Sequence, residues 1–205
     1  MGTSSFRSFM SRPSPLRAVA AATVAILLPG LAPVDAQPQQ NPSTGKPWAP
    51  EPVVYTVDVA EDMDQFIPTF VRPGDTQPEP GSFYVTRGRV FPEGTIKGDG
   101  ATFDPRQFGH IGVWISRGTH LVPASEIPDA EWWVNSTQIF VLGRQGRELL
   151  TTEGIEGRGT IRRVVTGGAG NFAGWTGEQF QTFLGVNVTG GVNLRVTFIL
   201  RPPAR

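Results

Sequence analysis

The sequence has no cysteine and only two histidines, His110 and His120, in 205 residues. It can form no disulfides, and two isolated imidazoles do not make the usual thiolate or histidine zinc sets. An excess of one charge is also missing, with 18 basic residues against 18 acidic. A nucleic-acid binder wants a basic stripe, and none is present. Sustained helical periodicity is absent throughout. The one long apolar run, residues 18–31, is broken by Pro29 and Gly30 and falls short of the roughly 20 residues that span a bilayer. Gly168-x-Gly170-x-x-Ala173 formally matches a dinucleotide fingerprint. That motif requires a following helix and an acid about 20 residues on; here a strand-like alternation follows, and no acid lies near Gly190.

What is present begins with an export segment. Arg7, Arg12 and Arg17 precede the apolar run, and Val34-Asp35-Ala36 offers small residues for a peptidase. Residues 1–36 therefore read as a signal peptide cleaved after Ala36, placing the protein in the periplasm or outside the cell with no stable membrane anchor. Three basic residues and one acidic residue (Asp35) leave with it. The remaining 169 residues carry 15 basic against 17 acidic, a net charge of −2. Residues 37–52, rich in Gln, Pro and Asn, read as a flexible leader. Residues 53–201 then form one domain, large enough to bury a core without disulfides.

Inside that domain, bulky and polar residues alternate with a period of two between Gly and Pro punctuation. Strands are expected near residues 53–59, 83–90, 110–116, 137–142, 149–154, 160–166, 175–184 and 192–200. A short helical turn is expected at 125–132, with Ser125 as its cap. Eight such strands predict an all-β fold, an eight-stranded antiparallel barrel of lipocalin-like closure. In residues 66–82 four prolines break any periodicity, and Phe66, Ile67 and Phe70 could fold over an open end.

A barrel of eight strands either fills with side chains or holds one small ligand. Trp114, Phe140, Phe172 and Trp175 are candidates for an apolar lining, with Tyr84, Arg87 and Arg89 as polar groups on an early strand. Trp132 and Trp133 cannot both face inward on a strand, so one is free for the outside and a subunit contact.

Residues 164–181 read VVTGGAGNFAGWTGEQFQ. Thr166, Gly167, Gly168, Gly170 and Phe172, followed by Gly177, resemble the glycine signature of the allene oxide cyclase and dirigent barrel superfamily. VTGGVNLRVTFIL resembles the last strand of its bacterial members. The resemblance spans roughly residues 53–200 and implies a barrel whose lumen takes a small apolar molecule, fatty-acid-derived or phenolic, with no cofactor. It also implies a homo-oligomer, a dimer or trimer. In the plant cyclases the first strand reads Tyr-Glu-x-Asn; here Tyr55 matches, Thr56 stands for the carboxylate and Asp58 for the amide. In dirigent proteins it reads Tyr-x-His-Asp, matched by Tyr55 and Asp58, while Val57 replaces the His. The dirigent arginine before the final glycine is Thr176.

The resemblance makes Asp58 and Thr56 candidate catalytic residues, and Tyr84 joins them as a polar group on an early strand. Tyr55, Trp114, Phe140, Phe172 and Trp175 become candidate ligand contacts. An Asp58 facing an apolar lumen would be raised in pKa by desolvation and could act as a general acid. At a barrel mouth it would instead be capped by backbone amides. Three readings stand open: an isomerase (an intramolecular cyclase), a non-catalytic binder or carrier, and a barrel whose interior is filled.

Overall fold

The computed structural model describes residues 51–143 and 145–203. The expected signal peptide and most of the leader lie outside the described residues. The elements in chain order are β1 (Val53–Glu61), β2 (Ile67–Thr69), β3 (Phe83–Pro92), β4 (Gly112–His120), β5 (Trp132–Leu142), β6 (Glu148–Gly157), β7 (Ile161–Ala169), β8 (Thr176–Val186) and β9 (Val192–Arg201). Eight of them close a barrel in the circuit β1-β9-β8-β7-β6-β5-β4-β3 and back to β1. Every pairing is antiparallel. β2 is a three-residue strand hung on β3.

β1 serves two neighbours. Val53 to Ala60 pair with β9, while Val57 to Glu61 also pair with β3. The expected seam between the last strand and an early one is therefore present. Most strands run longer than their alternation suggested. β5 starts at Trp132 rather than 137 because its inward positions Ser136 and Gln138 are polar, which hides the apolar face that marks a strand. The helical turn expected at 125–132 is reduced to one hydrogen-bonded turn over residues 126–130. Ala130 N–H donates to the Glu126 carbonyl at 2.9 Å, but no helix forms, and Pro128 in its middle has no N–H to give.

The glycine-rich stretch works as a turn. β7 continues through Gly167 and Gly168 to Ala169, and residues Gly170–Phe172 form one 3₁₀ turn. Gly170 has φ +65°, and a Cβ there would collide with the Arg147 carbonyl, so only glycine fits. The turn delivers Phe172 against Trp175, ring centroids 5.9 Å apart, and both pack on the core at that end of the barrel.

Inward side chains divide the barrel into two halves. The half near Val57, Trp114, Phe140, Leu150, Val165 and Leu200 is apolar and filled. Phe198 lies edge-on to Phe140 at 4.9 Å and stacks on Tyr55 at 6.4 Å. Each fully buried large side chain here contributes roughly 1.5–3 kcal/mol. A second, smaller core of Ala60, Phe91, Ile96 and Phe103 sits outside the barrel wall, beneath the β3–β4 connection.

Candidate functional site

The other half of the barrel is polar, and its polarity follows from strand parity. Ile161, Arg163 and Val165 share one face of β7, so Arg163 must point inward with its two apolar neighbours. Thr152 and Glu156 share the face of Leu150 on β6. Ser136 and Gln138 share that of Phe140 on β5, and Gln179 and Gln181 lie on one face of β8. Space for the large members comes from small partners. A Cβ at Gly118 would stand 2.8 Å from the Tyr84 ring, and one at Gly154 would lie 3.0 Å from Arg163 Cγ.

These groups form one hydrogen-bonded chain whose direction is set at both ends. Arg163 can only donate, and does so from Nε to Thr152 Oγ1 (3.3 Å) and from Nη2 to the Ser136 carbonyl (2.6 Å). Thr152 donates to Gln179 Oε1 (2.6 Å), Gln179 Nε2 to Gln138 Oε1 (2.9 Å), and Gln138 Nε2 to Gln181 Oε1 (2.7 Å). Glu156 can only accept. It takes Ser136 Oγ on Oε1 at 2.6 Å, Gln138 Nε2 on Oε1 at 3.4 Å, and the Tyr84 hydroxyl on Oε2 at 3.3 Å. Arg163 Nη1 stands 3.9 Å from Glu156 and makes no hydrogen bond among the described residues.

Burial governs the ionisable groups. It pulls the Arg163 guanidinium below its ordinary value, partly countered by Glu156. It pushes the Tyr84 phenol well above 10, helped by the charge of Glu156. Glu61, whose carboxylate accepts from Thr86 Oγ1 (2.6 Å) and the Val192 amide (3.1 Å), is raised chiefly by burial. His120 lies edge-on to Tyr84 at 5.9 Å and is lowered by burial. Phe66 stacks on Tyr84 at 5.3 Å, so one residue of the 66–82 connection does cover the polar end, while Ile67 is exposed.

Beside this network the barrel mouth opens as a cleft of about 510 Å³. Its walls include Trp133, Ile161, Phe183, Val192 and Leu194, with Glu156 and Gln181 at its floor and Arg158 at its rim. A second cleft, about 610 Å³, lies outside the wall against His110, Ile111 and Val141, away from the network. Convergent polar groups in an apolar hollow mark the mouth as the better candidate. Among the described residues no cluster of His, Asp or Glu is placed to hold a metal ion.

The residues singled out in the sequence separate sharply. Tyr84 is in the network. Trp114 and Phe140 are buried in the lumen, and Tyr55, Phe172 and Trp175 pack partly buried against the same apolar core. Asp58 and Thr56 are not lumen groups. Val57 and Val59 take the inward positions of β1, which turns both polar residues outward. Asp58 is wholly buried all the same, under the β3–β4 connection. Its Oδ2 accepts the Ile96 amide at 2.9 Å and its Oδ1 accepts Arg195 Nε at 2.9 Å. Thr56 Oγ1 meets Thr197 Oγ1 at 3.1 Å on the same outer face. Arg87 and Arg89 also face out, opposite to Tyr84. Trp132 is half-exposed, while Trp133 lines the cleft. The network's other members, Glu156, Arg163 and the three glutamines, went unread in the sequence. Their parity with Phe140, Leu150 and Val165 is the signal that finds them.

No protein-family model matches the chain, and no curated protein matches it. Solved structures do. A pterocarpan synthase dirigent protein aligns over 77% of this chain and 99% of its own, at 12% identity and a TM-score of 0.55. A second aligns over 75% and 93%, at 12% identity and 0.54. A Diels Alderase from Streptomyces koyangensis covers 74% of this chain and 69% of its own, at 14% identity and 0.45. At 12% identity the likeness to the two dirigent proteins is one of fold alone. The chain is a closed antiparallel barrel, similar in fold to these dirigent proteins.

Proposed function

We propose that this is an exported barrel that binds one small, largely apolar molecule at the polar mouth of its lumen. The observation that carries the reading is the cleft of about 510 Å³ whose apolar walls rest on the Glu156 and Gln181 floor. The opposite end of the lumen is filled with side chains, so a ligand has one way in. Export rests on the residue 1–36 pattern and predicts a mature N-terminus at Gln37, read by mass spectrometry of secreted protein; an end beyond residue 52 refutes it.

A thermal-shift screen of phenolic and fatty-acid-derived compounds tests the binding reading. A ligand held only by the folded barrel raises Tm with its concentration. Val192→Trp, which fills the cleft, should abolish the shift. Hits that stabilise this variant as well as the wild type refute the location.

A second reading, an isomerase or cyclase, draws support from Tyr84 and Glu156, proton-exchanging groups hydrogen-bonded to each other beside the hollow. Holding a flexible molecule in one conformer there would lower the barrier to ring closure. Formation of a product from any bound hit, lost in Val192→Trp, distinguishes this reading from simple carriage.

A further inference from the structure

The glutamine chain fixes more than the shape of the floor. Because Arg163 must donate at one end, each amide in the chain has its orientation set. Gln181 receives Gln138 Nε2 at 2.7 Å and Gln179 Nε2 at 3.4 Å, both on Oε1. Its carbonyl is thus occupied, and its Nε2 has no hydrogen-bond partner among the described residues while the side chain lines the cleft. Glu156 stands beside it. Gln138 Nε2 reaches both Gln181 Oε1 at 2.7 Å and Glu156 Oε1 at 3.4 Å, so the two acceptors are no more than about 6 Å apart. Glu156 Oε2 carries only the 3.3 Å contact from Tyr84 and keeps acceptor capacity. The floor therefore offers one donor, Gln181 Nε2, and one acceptor, Glu156 Oε2, on two side chains that line the same cleft.

We infer that the floor selects a neutral ligand head bearing a hydroxyl next to a carbonyl: the hydroxyl donates to Glu156 and the carbonyl accepts from Gln181 Nε2. This rests on the mouth cleft being the ligand site, and it names the class of molecule that fits. Arg163, the buried cation nearest the floor, has no exposed side-chain surface: its Nε and Nη2 are held by Thr152 and the Ser136 carbonyl, and its Nη1, unpaired among the described residues, is buried 3.9 Å from Glu156. Arg158 could meet a carboxylate at the rim, where its Nε already holds the Ala130 carbonyl at 3.1 Å. A carboxylate held there would share the cleft with the Glu156 carboxylate, and like charges repel. A hydroxy-carbonyl head at the floor leaves the apolar body against Ile161, Val192 and Leu194 instead.

Three probes of one two-ring skeleton separate the possibilities: benzoin (hydroxy-ketone), deoxybenzoin (ketone alone) and diphenylacetate (carboxylate). Calorimetric titration would be run on wild type, Gln181→Leu, Glu156→Gln and Val192→Trp, each first checked for native circular dichroism. Benzoin should bind wild type about tenfold or more tighter than deoxybenzoin, the effect of one hydrogen bond to a charged acceptor. Gln181→Leu should weaken both ketones, and Glu156→Gln should erase the gap between them. Equal affinity for the two ketones, with both lost in Val192→Trp, leaves the cleft standing and overturns the head-group assignment. Diphenylacetate binding tightest overturns it too. No saturable binding of any probe to wild type overturns both the assignment and the site. Should Glu156→Gln fail to fold, Gln181→Leu alone still decides the carbonyl contact.

Discussion

Removing Asp58 tests whether the fold depends on a group outside its barrel. In Asp58→Ala three hydrogen bonds to a wholly buried carboxylate are lost, from the Ile96 amide and Arg195 Nε, both at 2.9 Å, and from Arg195 Nη2 at 3.4 Å. Their costs differ. The Arg195 side chain is 36% exposed and can return to water, so its share is at most about 1 kcal/mol. Its guanidinium, held above the ordinary value chiefly by the Asp58 hydrogen bond, would relax. Ile96 is 2% exposed, and its orphaned amide costs roughly 1–3 kcal/mol. The sum is about 1–4 kcal/mol, which for a domain of this size lowers Tm by roughly 2–16 °C. Asp58→Asn keeps one acceptor for Ile96 and should lose about half as much. Urea unfolding followed by tryptophan fluorescence reads both. A loss below about 1 kcal/mol in Asp58→Ala refutes the argument. So would a stable Asp58→Ala that no longer binds a cleft ligand, since that residue points away from the lumen.

Arg163→Met should destabilise by about 3–5 kcal/mol, because it strands the Ser136 carbonyl, Thr152 and the Glu156 carboxylate; adding Glu156→Gln should recover part of that loss in the same urea assay. Glu61 has a folded pKa raised by burial, so the fold favours its protonated form. Its contribution is complete below the ordinary value of 4.5 and is lost as pH climbs through the raised one. Tm measured against pH should therefore show Glu61→Gln gaining on wild type as pH rises above the ordinary value of 4.5, and a constant gap would contradict the shift. Gly170→Val should cost at least about 1–3 kcal/mol, from positive φ and from collision with the Arg147 carbonyl, and a variant that melts with wild type would refute the turn's role.

The barrel was legible in the sequence because its evidence is local. Alternation such as Val192-Leu194-Val196-Phe198-Leu200 and the glycine turn each depend on a few neighbours. The site was less legible because its residues resemble a solvated face. In Ile161-Arg162-Arg163-Val164-Val165 the two arginines look alike, yet Arg162 pairs with Glu178 outside while Arg163 is buried inside. Only their parity with Ile161 and Val165 separates them. Asp58 shows the converse. Parity with Val57 and Val59 already put it on the opposite face, while motif resemblance drew it toward the lumen. Its burial under the β3–β4 connection depends on Ile96, 38 residues away, which no local pattern announces.

The double duty of β1 has a consequence for how the chain acquires its shape. Residues 53–60 find their β9 partners only across more than 130 positions of chain, as the Asp58–Arg195 bond, 137 residues apart, makes plain. Seven strands can zip hairpin by hairpin, but the ring stays an open sheet until that distant pair meets. Closure of so long a loop carries a large entropic barrier and places folding in the slow, millisecond-to-second range of non-local β proteins. During that interval β1 and β9 each present an unpaired edge, which is the moment of greatest risk for pairing between chains.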